Sequence, residues 1–263
     1  MAIVKQLYIA SCSCGKDSLA MTLELIRRQY PLDMVVFYDS GVEFDAIYRI
    51  RDKLKQLCIR HHIQFIELHP EVSFVYSMLD RPVKNRDGSG WHYGYSWCGG
   101  RCRWATRHKL DAIRKFKESL GDAEIIDYVG ICADEPDRLE KEKRPDKVFP
   151  LVDWNWTEEN CLDYCWSHGW HWYEHSPTAP GGKVELYEIL DRVSCYCCTN
   201  KNMKELYNIW RYLPGYWQRL RDLQRRTDRP MKKTKSVFDL EEQFQLKYRT
   251  QQEEETQLCL WTM

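Results

Sequence analysis

A chain of 263 residues, 43% hydrophobic and 30% charged, has the composition of a folded globular protein with one large domain or a domain and a subdomain. Its 39 basic and 39 acidic side chains cancel, which excludes recognition of polyanions through overall charge; any such signal has to be local. Met1-Ala2-Ile3-Val4-Lys5 has no basic segment followed by a long apolar one, and no apolar run approaches the roughly 20 residues that cross a bilayer, so a soluble cytoplasmic protein without a membrane partner is expected.

Ile3–Ala10 reads as a short buried strand. Leu19, Ala20, Leu23 and Ile26 mark one face of a helix from Asp17 to Tyr30, which Pro31 stops. Met34–Tyr38 is a second apolar, β-branched run. Phe44, Ile47, Ile50, Leu54 and Leu57 give a helical period between Glu43 and His61, and Ile63–Leu68 reads as a third strand. Continuously apolar strands alternating with helices predict a parallel sheet covered on both faces. From Pro70 to Ala105 the period is lost among glycines, aromatics and charges, including Asp87-Gly88-Ser89-Gly90, as in a functional loop or inserted lid. A helix near Thr106–Leu120 and a strand at Glu124–Ile131 follow. The helix Thr157–His168 opens with a capping pattern, Thr157 with Asn160 three places on. Lys201–Tyr248 is mostly helical, and no internal repeat is present.

The chemistry concentrates where the first strand meets the first helix, in Ser13-Cys14-Gly15-Lys16-Asp17-Ser18. A strand, a small-residue turn and a helix start aim backbone N–H groups and the positive end of a helix dipole at one point, with Lys16 beside it. Gly15 allows close backbone approach, and Ser11, Ser13 and Ser18 offer hydroxyl donors. The loop is shorter than a Walker phosphate loop and lacks its first glycine. On these residues alone, an ordinary strand-to-helix turn with a surface lysine is the other reading.

The loop resembles the Ser-Gly-Gly-Lys-Asp-Ser pyrophosphate loop of the adenine-nucleotide α-hydrolase superfamily, with Cys14 in place of the first glycine. Val36-Phe37-Tyr38-Asp39-Ser40-Gly41-Val42-Glu43-Phe44 resembles the second-strand motif of its phosphoadenosine phosphosulfate (PAPS) reductase branch. Gly130-Ile131 through Asp134-Glu135 to Arg138, Phe149-Pro150-Leu151-Val152-Asp153-Trp154, and Leu186-Tyr187-Glu188 through Arg192-Val193-Ser194-Cys195 are similar to later blocks of that branch, in order. The resemblance covers about residues 5–215. It implies an α/β fold, a doubly wound parallel five-stranded sheet of order 3-2-1-4-5, spanning a domain over 1–200 with an irregular insert at 70–105. A helical C-terminal extension over 201–263 completes the expected organisation.

For the site, the resemblance implies an adenine nucleotide bound by Ser11, Ser13, Cys14, Gly15, Lys16, Asp17 and Ser18. Asp39, Ser40 and Gly41 would contact ribose, base or metal, and Arg138 is either a second phosphate contact or a structural ion pair. Lys16 and Asp17 are the candidate catalytic pair, with Mg²⁺ held partly by Asp17.

Two cysteine clusters stand out, Cys98-Gly-Gly-Arg-Cys102 and Cys195-Tyr-Cys197-Cys198. Cys195 and Cys198 have the spacing that lets two thiolates face one metal. Four thiolates, Cys98, Cys102, Cys195 and Cys198 with Cys197 as alternate, would hold a [4Fe–4S] cluster or Zn²⁺, or remain unmetallated thiols. Members of the PAPS reductase branch bind a [4Fe–4S] cluster through two separated cysteine pairs. Here the upstream pair is C-x-x-x-C rather than adjacent, and Ala105 stands where a further cysteine is expected. Cys58, Cys132, Cys161 and Cys165 read as small core residues.

Between Thr199 and Lys235 there are eleven Lys/Arg against three Asp/Glu. Arg219, Arg221, Arg225, Arg226, Arg229, Lys232, Lys233 and Lys235 are interleaved with Tyr212, Tyr216 and Trp217. Such a stretch suits nucleic-acid phosphates and bases, or a solvated helix face followed by a charged linker.

Three functions remain. The first is an ATP-cleaving enzyme that releases pyrophosphate to activate an acceptor for sulfur or amine insertion, supplied in the sulfur case by a donor such as a cysteine desulfurase. The second is a reductase releasing sulfite from an adenylylated sulfate. The third is an inert nucleotide-binding module. Reductases of this branch usually lack the Lys-Asp pair and carry a late Glu-Cys-Gly-Leu/Ile-His motif, whereas the only late cysteine here, Cys259, has neither the glycine nor the histidine. ATP cleavage therefore ranks first.

Overall fold

A computed structural model describes residues 5–98 and 102–261, with the side chains of 103–105 and 255–261 outside that description. The chain forms two compact units. One takes in the residues up to Ser73, Arg103–Tyr173 and Val193–Cys195; the other takes in Phe74–Cys102, Glu174–Arg192 and the chain from Tyr196 on.

The first unit alternates strands and helices: β1 (Gln6–Ser11), α1 (Lys16–Arg27), β2 (Met34–Tyr38), α2 (Asp45–Arg60), β3 (Gln64–Leu68), α3 (Lys109–Glu118), β4 (Glu124–Val129), α4 (Pro136–Glu142), β5 (Lys147–Val148) and α5 (Glu158–Ser167). The five strands pair in the order β3-β2-β1-β4-β5, all parallel, as expected from the sequence. All five residues of β2 are buried, because helices cover both faces of the sheet. On one face Leu7, Ile9, Met34 and Val36 pack against Ile66, Leu68, Ile125 and Phe116 of α3. Elsewhere α1 lies against α5, and every α1 residue from Ser18 to Ile26 is buried.

Because β1 lies between β2 and β4, the chain leaves the centre of the sheet in opposite directions on its two sides. Such a reversal opens a crevice at the carboxyl ends of the strands, where open α/β sheets bind ligands. Ser11, the last residue of β1, sits at that point, paired with Val36 on one side and Val129 on the other.

In the second unit the helices α6 (Met203–Tyr212), α7 (Pro214–Gln224) and α8 (Val237–Trp261) bury Leu206, Ile209, Trp217, Leu220, Leu240 and Phe244. The expected insert belongs with these helices rather than with the sheet. Trp97 is buried and donates to Gln224 Oε1 at 3.1 Å, and Arg226 pairs with Asp80 at 2.7 Å. Trp97 is thus held on α7, while Trp91 and Tyr93 of the same segment stay exposed. Tyr216 and Trp217 are buried, which removes them as surfaces for base stacking. Several of the basic side chains spend their charge inside the unit: Arg221 on Glu241, Arg225 on Asp222, and Arg219 over the Tyr216 ring.

Glu24 of α1 is the polar clasp between α1 and α5. Its carboxylate accepts from Arg27 Nε and Arg28 Nε, both at 2.6 Å, and from the Tyr164 hydroxyl of α5 at 2.9 Å. The guanidinium of Arg27, and then that of Arg28, outweigh burial and hold the Glu24 carboxyl at about 2. A group so depressed stabilises the fold above its unfolded-state value and loses that contribution as pH falls through the folded one. Glu24→Gln is expected to lower stability at pH 7 by about 1.5–3 kcal/mol, the worth of hydrogen bonds to a charged group. In urea melts the gap between wild type and variant should close between about pH 4.5 and pH 2. A gap that stays constant with pH would assign the loss to packing instead.

Candidate functional site

The loop between β1 and α1 turns the chain through a single left-handed residue. Cys14 has φ of 60°, a region that glycine enters freely and that costs other residues roughly 1–2 kcal/mol. Glycine would take this φ without strain, so Cys14 holds the turn at a conformational cost. The strain is held from outside the loop: the buried indole of Trp172 donates to the Cys14 carbonyl at 2.8 Å. Cys12 N donates to Val36 O at 2.9 Å, tying the start of the loop to β2.

The serines shape the loop from within. Ser13 N donates to Ser18 Oγ at 3.1 Å, the two hydroxyls are 3.1 Å apart, and Ser18 Oγ donates to the Gly15 carbonyl at 3.3 Å. Gly15, the N-cap of α1, has extended backbone and offers no side chain to that end of the helix. An uncapped N-terminus presents amides and a positive partial charge, which favours an anion.

Lys16 is 7% exposed and reaches two carboxylates, Asp17 Oδ1 at 2.7 Å and Glu158 Oε2 at 2.5 Å. Burial alone would lower its pKa, but the two acids outweigh it and leave the ammonium raised. The Asp17 carboxyl is raised, by burial first and by the charge of Glu158, against the pull of Lys16. Glu158 opens α5, which begins with the expected capping box between Thr157 and Asn160. The carboxylate of Asp134 accepts from Glu158 N at 3.2 Å, adding negative charge where the helix dipole is positive.

Loops after β2 and β4 complete the strand ends. Asp39 Oδ1 accepts from Gly41 N at 2.7 Å and from the Tyr48 hydroxyl at 2.8 Å, and Gly41 takes φ of 74°. Ser40 is buried and donates to Glu43 Oε1 at 2.7 Å; the thiol of Cys195 donates to the same oxygen at 3.4 Å. Burial pushes Glu43 up and Lys109 down, and each opposes the other's shift through its charge. Arg138 is exposed and forms a local ion pair with Glu135 at 2.9 Å.

The Ser13–Ser18 loop and the Asp39-Ser40-Gly41 turn follow neighbouring strands of the sheet, and Glu158, Trp172, Glu43 and Lys109, which the sequence did not single out, lie beside them. Glu158 appears in the sequence only as the neighbour of a helix cap, with nothing to tie it to a lysine 142 residues earlier. The cysteine sets fall on both units: Cys98, Cys102, Cys197 and Cys198 in one, Cys195 in the other. Thr199 donates its hydroxyl to the Cys98 carbonyl, bringing the Cys98 and Cys198 segments side by side. The side chain of Cys259 lies outside the described residues.

Gly130, just after β4, carries the α1 end. A Cβ there would stand 2.9 Å from Ser18 Cα and 3.1 Å from Ser18 N, both backbone atoms. Gly130→Ala is expected to cost about 1–3 kcal/mol, as overpacking does. Gly215→Ala, with nothing within 4 Å, should be neutral or stabilising. Equal urea midpoints for the two variants would contradict the close approach.

No family model matches the chain. Over 222 residues it is 29% identical to an uncharacterized protein of Methanocaldococcus jannaschii, an alignment that covers 82% of this chain and 41% of that protein. The chain therefore spans less than half the length of this relative.

Proposed function

We propose that this protein is a cytoplasmic PP-loop enzyme of the PAPS reductase family that binds ATP and cleaves it to an adenylate and pyrophosphate, activating an acceptor for sulfur transfer. The observation that carries this reading is the pairing of a buried lysine with an uncapped helix N-terminus at the reversal point of a parallel sheet. Neither a structural salt bridge nor a plain turn needs all three.

In this reading the acceptor oxygen attacks the α-phosphorus in line, and the bond to the bridging oxygen breaks. Charge grows on the departing pyrophosphate, and Lys16 with the first amides of α1 meets it in fixed positions. Asp39, Ser40 and Gly41, at the end of β2, face the nucleoside. Asp17 and Glu158 place two carboxylates on one ammonium, a negative surplus that suits a divalent cation when a polyphosphate enters. Magnesium, held partly by Asp17, would neutralise charge on the leaving group. The Thr199–Cys98 contact, within one unit, supports the approach of the Cys98 and Cys198 segments, two of those expected to hold a [4Fe–4S] cluster or zinc. A donor such as a cysteine desulfurase would supply the sulfur.

Lys16→Ala is expected to weaken ATP binding or turnover by about 2–4 kcal/mol, as for loss of a preorganised charge-stabilising donor. Calorimetry that gives both proteins the same ATP affinity, with equal pyrophosphate release, would refute the assignment. Thioredoxin-dependent sulfite release from PAPS, abolished in Cys259→Ser, would put the reductase reading first.

A further inference from the structure

Outside the cysteine clusters that the spacing singles out, two other thiols meet beside the loop. Cys132 follows β4 and Cys161 lies on α5, both are fully buried, and their sulfurs are 3.7 Å apart. A carboxylate oxygen of Asp17 completes a group of three ligand atoms, all within 4.8 Å of one another. Each comes from a different element. Glu158, Cys161 and Cys165 share one face of α5: the first pairs with Lys16 Nζ, the second meets Cys132, and the third donates to Lys16 O at 3.5 Å. Gly130 lets the chain leading to Cys132 lie directly on the backbone of Ser18. Backbone packing therefore holds all three ligand atoms in register.

The separation is informative. Two thiolates bound to one zinc at 2.3 Å and at the tetrahedral angle stand about 3.8 Å apart. The two sulfurs and a carboxylate oxygen lie close enough for one ion to reach all three. We propose that Cys132, Cys161 and Asp17 form a binding site for a thiophilic divalent cation of the zinc class. Three protein ligands leave one coordination position for water or another ligand, the arrangement of an open rather than a purely structural zinc site. The site shares Asp17 with the proposed nucleotide site, while its two thiols belong to it alone, so metal binding read without nucleotide tests it separately. Its occupation would draw Asp17 from Lys16, linking the metal state of the protein to the conformation of the loop.

Protein stripped with chelator under reducing, anaerobic conditions and titrated with Co²⁺ tests this directly. Wild type and the Cys98→Ser/Cys198→Ser variant should both bind a tight equivalent with thiolate-to-cobalt absorption and tetrahedral visible bands, and Zn²⁺ should displace it. That equivalent should be lost in Cys132→Ser and in Cys161→Ser. Asp17→Asn, at a position whose side chain is 24% exposed, should keep the thiolate band but bind at least about tenfold more weakly, since even the outer partners of metal ligands are worth that much. This variant keeps the test alive if the buried thiol variants fail to fold. Three results would overturn the proposal: a Cys132→Ser variant that titrates like wild type, an Asp17→Asn variant of undiminished affinity, or recovery of Cys132 and Cys161 as a disulfide that leaves wild type without the tight equivalent.

Discussion

Burying an ammonium is unfavourable unless carboxylates come with it. Lys16 brings two: Asp17, its neighbour on α1, and Glu158, at the head of α5. The second partner matters more for the fold, because it draws a helix from a distant part of the chain onto the loop. Once α5 is there, Tyr164 reaches Glu24, Cys165 reaches the Lys16 carbonyl and Cys161 reaches Cys132. Each buried side chain of the α1–α5 contact contributes on the order of 1.5–3 kcal/mol by burial, which exceeds what the ion pair gives net. Packing supplies the stability, while the charges set the register in which the helices meet.

The left-handed turn at Cys14 depends on the same frame. Its strain is smaller than the burial of one core side chain, so a well-packed surround can hold it. The Trp172 indole contributes directly, through a hydrogen bond to the carbonyl of the strained residue. Loop amides, helix dipole and ammonium are consequently fixed before any ligand arrives. Preorganisation of that kind is what stabilisation of a developing charge requires.

Much of this was legible in the sequence. Met34–Tyr38 is a strand over the predicted residues, since a run that is apolar on both faces fits only the middle of a covered sheet. The 3.6-residue periods of α1, α2 and α5 gave those helices to within two or three residues at either end. The fifth strand was expected without a place, and with two residues, Lys147–Val148, it is too short to show a period. The insert was read as irregular, yet its partner α7 was beyond reach, because the docking of Trp97 on Gln224 spans 127 residues. For the same reason Cys132 and Cys161 looked like ordinary core residues. Burial was predictable from their neighbours, whereas their meeting required the loop after β4 and α5 to be seen together. Tyr216 and Trp217 looked available beside so many arginines, but a helix with a continuous apolar face buries them instead.

On the proposed reading, the loop after β1 grips the pyrophosphate end of ATP. Competition binding with Mg²⁺ present measures that most directly, using inorganic pyrophosphate and AMP as separate competitors against ATP. If the claim holds, pyrophosphate displaces ATP one for one, and ATP binds far more tightly than AMP. ATP held no better than AMP, and left in place by pyrophosphate, would contradict it.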